Sequence, residues 1–432
     1  MRHYRLNNIK GRTLKRLLRT IILLVIRLLG ALGARKAAQS SNKTFETPRI
    51  LLVRPDHLGD LLMTTPIFHA LKQKAPNAHI SVMVGPWSSE VVERHPDIDR
   101  ILTCPFPGFQ RAAQKALTPY ILLFKTAKQL QSEHFDAGIN LRSDFWWGAA
   151  LLYLARVPRR VGYALEPGKP FLTHALPFQS PQHATISNLY LASAALQSID
   201  YPPLDEPYTP EYYPLHFIPT SADQQWASAR LHNEGIEPSN VGAGFTPARA
   251  NHAPLIIIHP GSGAAVKLWR TRGWATCADA LTKSLTMSAP VRIMLTGSKN
   301  ERPMLEEIAR NMQSPAILVT DATIGQLAAL QAKALLVLSV DSGPLHLAVS
   351  QGTPTIQLFG PTDPRIFGPW GKKERHIVLA STYRCSSCPN IPCGRLDFPP
   401  QEVADHHCVR LITDQQVLTE VEKLLPYLSE KA

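Results

Sequence analysis

Two stretches of the chain repeat one rhythm: a short apolar run, a loop, then polar and apolar positions at helical spacing. The first opens with RILLVR at residues 49–54 and the second with LIIIH at residues 255–259. Runs this uninterrupted predict parallel strands buried on both faces rather than half-exposed ones. In the first stretch the pattern predicts strands over 49–54, 80–84, 100–103, 137–141 and 160–162. Helices fall between them over 61–74, 88–94, 115–132 and 145–155. In the second it predicts strands over 255–259, 292–296, 316–319, 335–339 and 355–359, and helices over 271–284, 301–311, 324–331 and 344–350. Residues 205–252 are proline-rich and read as irregular, with 240–253 an exposed loop. Strands alternating with helices imply parallel sheets with right-handed crossovers, so the class is α/β with two Rossmann-like halves. The expected organisation is a segment over 1–36, domains over 48–215 and 254–414, a linker over 216–253 and a closing helix over 415–432.

The segment over 1–36 follows a different pattern. Arg2, Arg5, Lys10, Arg12, Lys15, Arg16 and Arg19 precede an Ile- and Leu-rich run over 20–33 that Arg27 interrupts. The apolar stretch is too short to span a bilayer, which needs roughly 20 such residues. A basic amphipathic helix lying on an anionic membrane surface fits, with Leu17, Ile21, Leu24, Val25 and Leu28 dipping in. A helix packed on the body of the protein, a basic tail and a cleaved or spanning segment are the alternatives. The 432 residues carry a net charge of +13, which suits anionic partners. Much of that excess sits in this segment, and no RNA- or DNA-binding motif accompanies it, so a nucleic-acid role is not expected.

Three loops at strand ends carry candidate chemistry. After the first strand comes RPDHLGD, Arg54 to Asp60. Gly59 permits a tight turn, and Asp60 is placed either to cap the next helix or to act as a general base on an approaching hydroxyl. After the strand at 255–259 comes HPGSGAAVKLW, His259 to Trp269. The amides around Gly261 and Ser262 suit a phosphate and Lys267 offers a compact positive charge. An ordinary Gly-rich turn with a solvated lysine fits the same residues, and neither Walker nor GxGxxG spacing is present. After the strand at 335–339 comes VDSGPLHLA, Val340 to Ala348, where Asp341 and Ser342 can cap a helix carrying His346. Such a helix start suits a pyrophosphate.

Taken together, Lys267-Leu268-Trp269, the helix start Asp341-Ser342-Gly343 with His346, Gly352-Thr353-Pro354, and LFGPTD at 358–363 resemble glycosyltransferase family nine. That is the family of ADP-heptose:lipopolysaccharide heptosyltransferases. Gly59-Asp60 before an apolar helix matches it too, and the resemblance covers roughly residues 48–425. It implies a GT-B fold with the reaction in the cleft between two domains. It implies inverting transfer of heptose from ADP-heptose to a lipid-linked core acceptor, without a metal, by a cytoplasmic enzyme peripheral on the inner membrane. On this resemblance Asp60 is the catalytic base and Lys267 neutralises the diphosphate. Asp341, Ser342, Gly343 and His346 match the nucleotide-sugar-binding helix start, and Glu301 is the acidic residue for the ribose hydroxyls. The Gly-Ser-Gly of the 261–263 loop departs from many members. Another GT-B transferase using a UDP- or GDP-sugar, and a non-catalytic membrane-surface binding protein of the same fold, remain alternatives.

Cys385, Cys388, Cys393 and Cys408 give the spacing C-x2-C-x4-C-x14-C, with His406 and His407 beside the last. That spacing can hold zinc tetrahedrally. Reduced, packed thiols fit it equally, and the expected cytosolic setting argues against disulfides.

Overall fold

The computed structural model describes residues 20–35, 46–110, 115–236, 254–284, 290–399 and 401–429. Two six-stranded parallel sheets organise the chain. The first contains β1 (Arg49–Arg54), β2 (His79–Val84), β3 (Arg100–Thr103), β4 (Ala137–Asn140), β5 (Arg159–Tyr163) and β6 (His174–Leu176). The second contains β7 (Leu255–His259), β8 (Arg292–Thr296), β9 (Ala316–Val319), β10 (Leu336–Val340), β11 (Thr355–Phe359) and β12 (His376–Ala380). Their orders are β3-β2-β1-β4-β5-β6 and β12-β11-β10-β7-β8-β9. Read from the first strand of each half, these are the same doubly wound order. Both therefore reverse direction between the first and fourth strands, where ligands of such sheets bind at the carboxyl ends.

The helices are α1 (residues 20–35), α2 (Leu58–Leu62), α3 (Pro66–Lys74), α4 (Glu90–Glu93), α5 (Thr118–Gln131), α6 (Trp146–Leu154), α7 (Ala184–Ser198) and α8 (Ser221–Asn233). They continue with α9 (Thr271–Ser284), α10 (Arg302–Asn311), α11 (Ile324–Ala332), α12 (Gly343–Ser350), α13 (Pro364–Phe367) and α14 (Asp414–Ser429). The central strands β1, β7, β10 and β11 are buried almost throughout, as their apolar runs require. The helix expected over 61–74 is two helices, α2 and α3. Pro66 occupies the first turn of α3, where its missing N–H costs nothing, and cannot continue α2.

Part of the stretch read as irregular is helical. Thr220 and Asp223 form a capping box that starts α8, and Ala227 and Leu231 pack with Leu255, Ile257 and Leu330 in the second half's core. Residues 205–220 are irregular as read, and residues 237–253 lie outside the described residues. Likewise α14 packs Val417, Val421, Leu424 and Leu428 into the second core.

Helix α1 has two faces. Ile26 is buried in the first half's core and the Tyr153 hydroxyl donates to the Arg27 carbonyl at 2.7 Å. On the other side Ile21, Leu24, Val25, Leu28, Leu29 and Leu32 are exposed, Leu32 to 72%. The basic residues before Thr20, and Leu17, lie outside the described residues. Among the described residues no helix is long and apolar enough to cross a membrane.

Candidate active site

All three chemistry-bearing loops open onto one crevice, and α2 meets α12 across it. A Cβ on Gly59 would stand 3.1 Å from His346 Cδ2 and 3.2 Å from Gly343 Cα. One on Gly343 would stand 2.9 Å from Leu58 Cβ. Gly343 leaves no room for a Cβ and Gly59 little, because two helix starts from different halves approach each other there. The tight turn expected at Gly59 is not present, since the residue lies inside the first turn of α2. His346 is buried against this junction, where burial lowers its pKa and keeps the ring neutral. Among the described residues its Nδ1 has no hydrogen-bond partner.

On the first half's side, Asp60 is the third residue of α2, so His57 takes the cap position. Its carboxylate therefore does not cap the helix and faces Arg54, whose Nη2 lies 3.5 Å from Oδ1. The Asp60 side chain keeps 34% of its surface open, whereas Asp56 nearby is buried. Asp56 is held by Arg54 Nε at 2.8 Å and by the Arg142 guanidinium. Arg54 in turn donates to the Leu141 carbonyl at 2.8 Å. Arg54 and Arg142 come from the ends of β1 and β4, neighbours in the sheet. The crowded crevice pushes the Asp60 pKa up to about 6, first through desolvation and then through the Asp56 charge. Arg54, Arg142 and Lys267 act against that rise. The influence of Lys267 on a carboxylate in the other half puts both groups in the same electrostatic space.

On the second half's side, Lys267 Nζ is 2.7 Å from Asp341 Oδ2. The same oxygen accepts from the Thr362 hydroxyl at 2.6 Å. A lysine has three N–H donors, so this anchoring leaves two for a ligand. Ser342 occupies the cap position of α12, but its hydroxyl pairs with that of Ser339 at 3.0 Å and makes no cap hydrogen bond. The first amides of α12 are thus not capped by that side chain, and a helix start in that state suits an anion. Beside it, Glu301 closes a capping box on Ser298, taking hydrogen bonds from its amide and hydroxyl at 2.7 and 2.8 Å. A Cβ on Gly261 would stand 2.1 Å from Glu301 Oε1, so only glycine lets this carboxylate lie on the loop. Ser262 Oγ reaches the Asp341 carbonyl at 3.5 Å.

The structure therefore brings Gly59, Asp60, Gly261, Ser262, Lys267, Glu301, Asp341, Ser342, Gly343 and His346 to the ends of β1, β7, β8 and β10. Cys385, Cys388, Cys393 and Cys408 lie elsewhere, in the segment between β12 and α14. Sequence reasoning missed Asp56, Arg142 and Thr362 as members of the site. Asp56 and Thr362 stood inside motifs already singled out, and that was the available signal. No signal marked Arg142.

Two Rossmann-like domains facing across a cleft, with a carboxylate on one wall and a lysine beside a helix start on the other, define a glycosyltransferase of the GT-B fold. The pattern of glycosyltransferase family 9 (heptosyltransferase) matches residues 123–395, and the chain belongs to that family. It is similar to lipopolysaccharide heptosyltransferase 3 of Escherichia coli, 26% identical over 379 residues that cover 85% of this chain and 96% of the relative. Among solved structures it resembles the glycosyl transferase family 9 protein of Veillonella parvula, with TM-score 0.68, 21% identity and coverage of 88% and 98%. It also resembles the Escherichia coli ADP-heptose lipopolysaccharide heptosyltransferase II, with TM-score 0.62, 19% identity and coverage of 89% and 100%.

Proposed function

We propose that this enzyme transfers heptose from ADP-heptose to a lipid-linked lipopolysaccharide core acceptor, inverting the anomeric carbon. The observation that carries the reading is the junction of α2 and α12, which sets Gly59, next to Asp60, against Gly343 and His346 beside the Lys267–Asp341 pair. In this mechanism Asp60 takes the proton of the acceptor hydroxyl as its oxygen attacks C1 of the heptose. The C1–oxygen bond to ADP breaks on the opposite face, and the electron pair leaves with the diphosphate. Lys267 and the first amides of α12 stabilise that developing charge, a role that needs fixed donors where charge appears. Gly261, Ser262 and Glu301 line the adjoining space for the nucleoside, the carboxylate facing the ribose hydroxyls. Support for the donor comes from the relatives, which are named for heptose transfer to lipopolysaccharide and, in one case, for ADP-heptose. The deciding test is donor turnover with ADP-heptose, UDP-sugars and GDP-sugars on a heptose-deficient core acceptor. Turnover with ADP-heptose alone is expected, and a preference for a UDP- or GDP-sugar would replace this reading.

The pH dependence follows from the same carboxylate. A base must be ionised, and a pKa near 6 leaves roughly ten ionised Asp60 groups for each protonated one at pH 7. kcat/KM is expected to hold above pH 7 and to fall about tenfold per pH unit below pH 6. A flat profile between pH 5 and pH 8 would remove Asp60 from the role.

We further propose that the exposed face of α1 seats the enzyme on an anionic membrane where its lipid-linked acceptor resides. Leu28, Leu29 and Leu32 stand out from the surface, and α5, which packs into the same core cluster as α1, also exposes Leu117 and Ile121 at its start. Basic residues precede them in sequence. Burying one such side chain contributes about 1.5–3 kcal/mol. Leu28→Asp with Leu32→Asp should weaken sedimentation with phosphatidylglycerol vesicles by at least about 100-fold, since each 1.4 kcal/mol is tenfold. Turnover on a delipidated acceptor should stay unchanged. Equal binding by the double variant would place membrane contact elsewhere.

A further inference from the structure

The chain between β12 and α14, residues 381–413, holds only two single-turn helices among its described residues, Val403–Asp405 and Val409–Leu411. Irregular stretches of this length inside a compact domain are uncommon and need something to hold them. Apolar packing holds only the far end of the segment, where Val409 and Ile412 enter the second core, while Tyr383, Leu396 and Leu411 are exposed. Before that end the segment buries sulfur and imidazole. Cys385, Cys408 and His406 are almost fully buried and Cys388 is partly so.

Their geometry converges. The Sγ atoms of Cys385 and Cys388 and a ring nitrogen of His406 all lie within 4.8 Å of one another. Cys388 Sγ is 3.3 Å from His406 Nδ1. The Cys388 amide donates to the Cys385 carbonyl at 3.0 Å, which folds the C-x2-C pair into a tight turn with both sulfurs on one side. Cys393 and Cys408 line the same small cavity as the trio, so two further thiols adjoin it. The His406 ring lies against Phe398, tilted by 30° with centroids 3.6 Å apart, which restricts its orientation. Thiolate and imidazole donors at this separation match the soft, four-coordinate set of a structural zinc site.

We propose that Cys385, Cys388 and His406, completed by the thiolate of Cys393 or Cys408, bind one divalent transition-metal ion of the zinc type. Binding releases the thiol protons to solvent and leaves the metal's oxidation state unchanged. The ion pins the segment against the catalytic half. The cavity between the ligands is walled by Val266 and Pro361, and the Gly394 amide donates to the Pro361 carbonyl at 2.8 Å. Val266 precedes Lys267, and Pro361 precedes Thr362, whose hydroxyl holds Asp341. The metal thus supports the Lys267–Asp341–Thr362 arrangement from behind and takes no part in the reaction.

The test is elemental analysis of the full-length protein, expressed with zinc and iron both available and purified without chelator or metal-affinity resin. About one equivalent of zinc or ferrous iron per chain is expected, as for a single four-ligand site. Cys388→Ser and His406→Ala should each lose most of it. Replacing the ion with Co²⁺ in the wild-type protein should give the intense visible bands of tetrahedral cobalt and a thiolate charge-transfer band, a readout that survives if the variants fail to fold. Metal-free wild-type protein, an octahedral cobalt spectrum, a Cys385–Cys388 disulfide in the native protein, or unchanged metal content in Cys388→Ser would each overturn the site.

Discussion

Asp60→Asn is expected to cut turnover by about 10²–10⁴-fold, the usual worth of a positioned general base. Asparagine keeps the shape and an oxygen for Arg54 but accepts no proton. KM for the donor should change little, because the proposed mechanism sets Asp60 against the acceptor hydroxyl. The same variant should melt no lower than the wild type at pH 7. Crevice desolvation and Asp56 raise the Asp60 pKa from 3.8 to about 6, so the fold disfavours the ionised form. A raised carboxyl pKa contributes stability below the unfolded-state value and loses that contribution as pH rises through the folded one. Any gain from the neutral asparagine should therefore appear above pH 6 and vanish near pH 4. Lost activity with unchanged or increased stability marks a catalytic group rather than a structural one. Asp56 cannot substitute for it, being buried and held by two arginines. Asp56→Asn should instead move the acidic limb of the pH profile to lower pH, since its charge raises the pKa of Asp60. Wild-type turnover in Asp60→Asn would sink the assignment.

The first-half acid and the second-half lysine were legible because each follows a strand whose apolar run is unmistakable. RILLVR and LIIIH announce buried parallel strands, and a loop after such a strand in a doubly wound sheet sits where ligands bind. The edge strand β6 was not legible, because three half-exposed residues carry no apolar run, whereas β12 carries one in Ile377, Val378, Leu379 and Ala380 and was passed over. Helix α7 escaped for another reason. Its buried positions Thr185, Asn188, Leu189 and Ala192 keep helical spacing, but Thr185 and Asn188 are polar and blur the apolar stripe. The start of α8 was written in Thr220 and Asp223, yet the surrounding prolines masked it. Arg142 is the instructive omission. Its bond to Asp56 joins residues 86 apart and exists only because β4 lies beside β1, so no local spacing encodes it. Asp341 shows the intermediate case. The motif marked it as part of the helix start, but its geometry is that of a clamp on Lys267.

That clamp determines what Lys267→Ala should do. In the proposed mechanism, removing the ammonium deletes the charge that faces the departing diphosphate, and loss of one such preorganised donor costs about 10²–10³ in kcat. Donor affinity should fall as well, since ground-state ADP-heptose carries the same diphosphate. The substitution also strands Asp341, a buried carboxylate whose remaining side-chain partner among the described residues is the Thr362 hydroxyl. Breaking a buried pair from one side is costly, on the order of a few kcal/mol, because the remaining charge stays desolvated. Lys267→Ala alone therefore confounds catalysis with stability. Adding Asp341→Asn neutralises the stranded charge, so the double variant should recover most of the lost melting temperature and almost none of the lost turnover. A further readout belongs to Asp60. Lys267 helps hold its pKa down, so the acidic limb of the pH profile should move upward in Lys267→Ala. A structural lysine would move melting temperature and turnover together and leave that limb in place. Unchanged affinity for ADP in the stable double variant would remove Lys267 from the donor site.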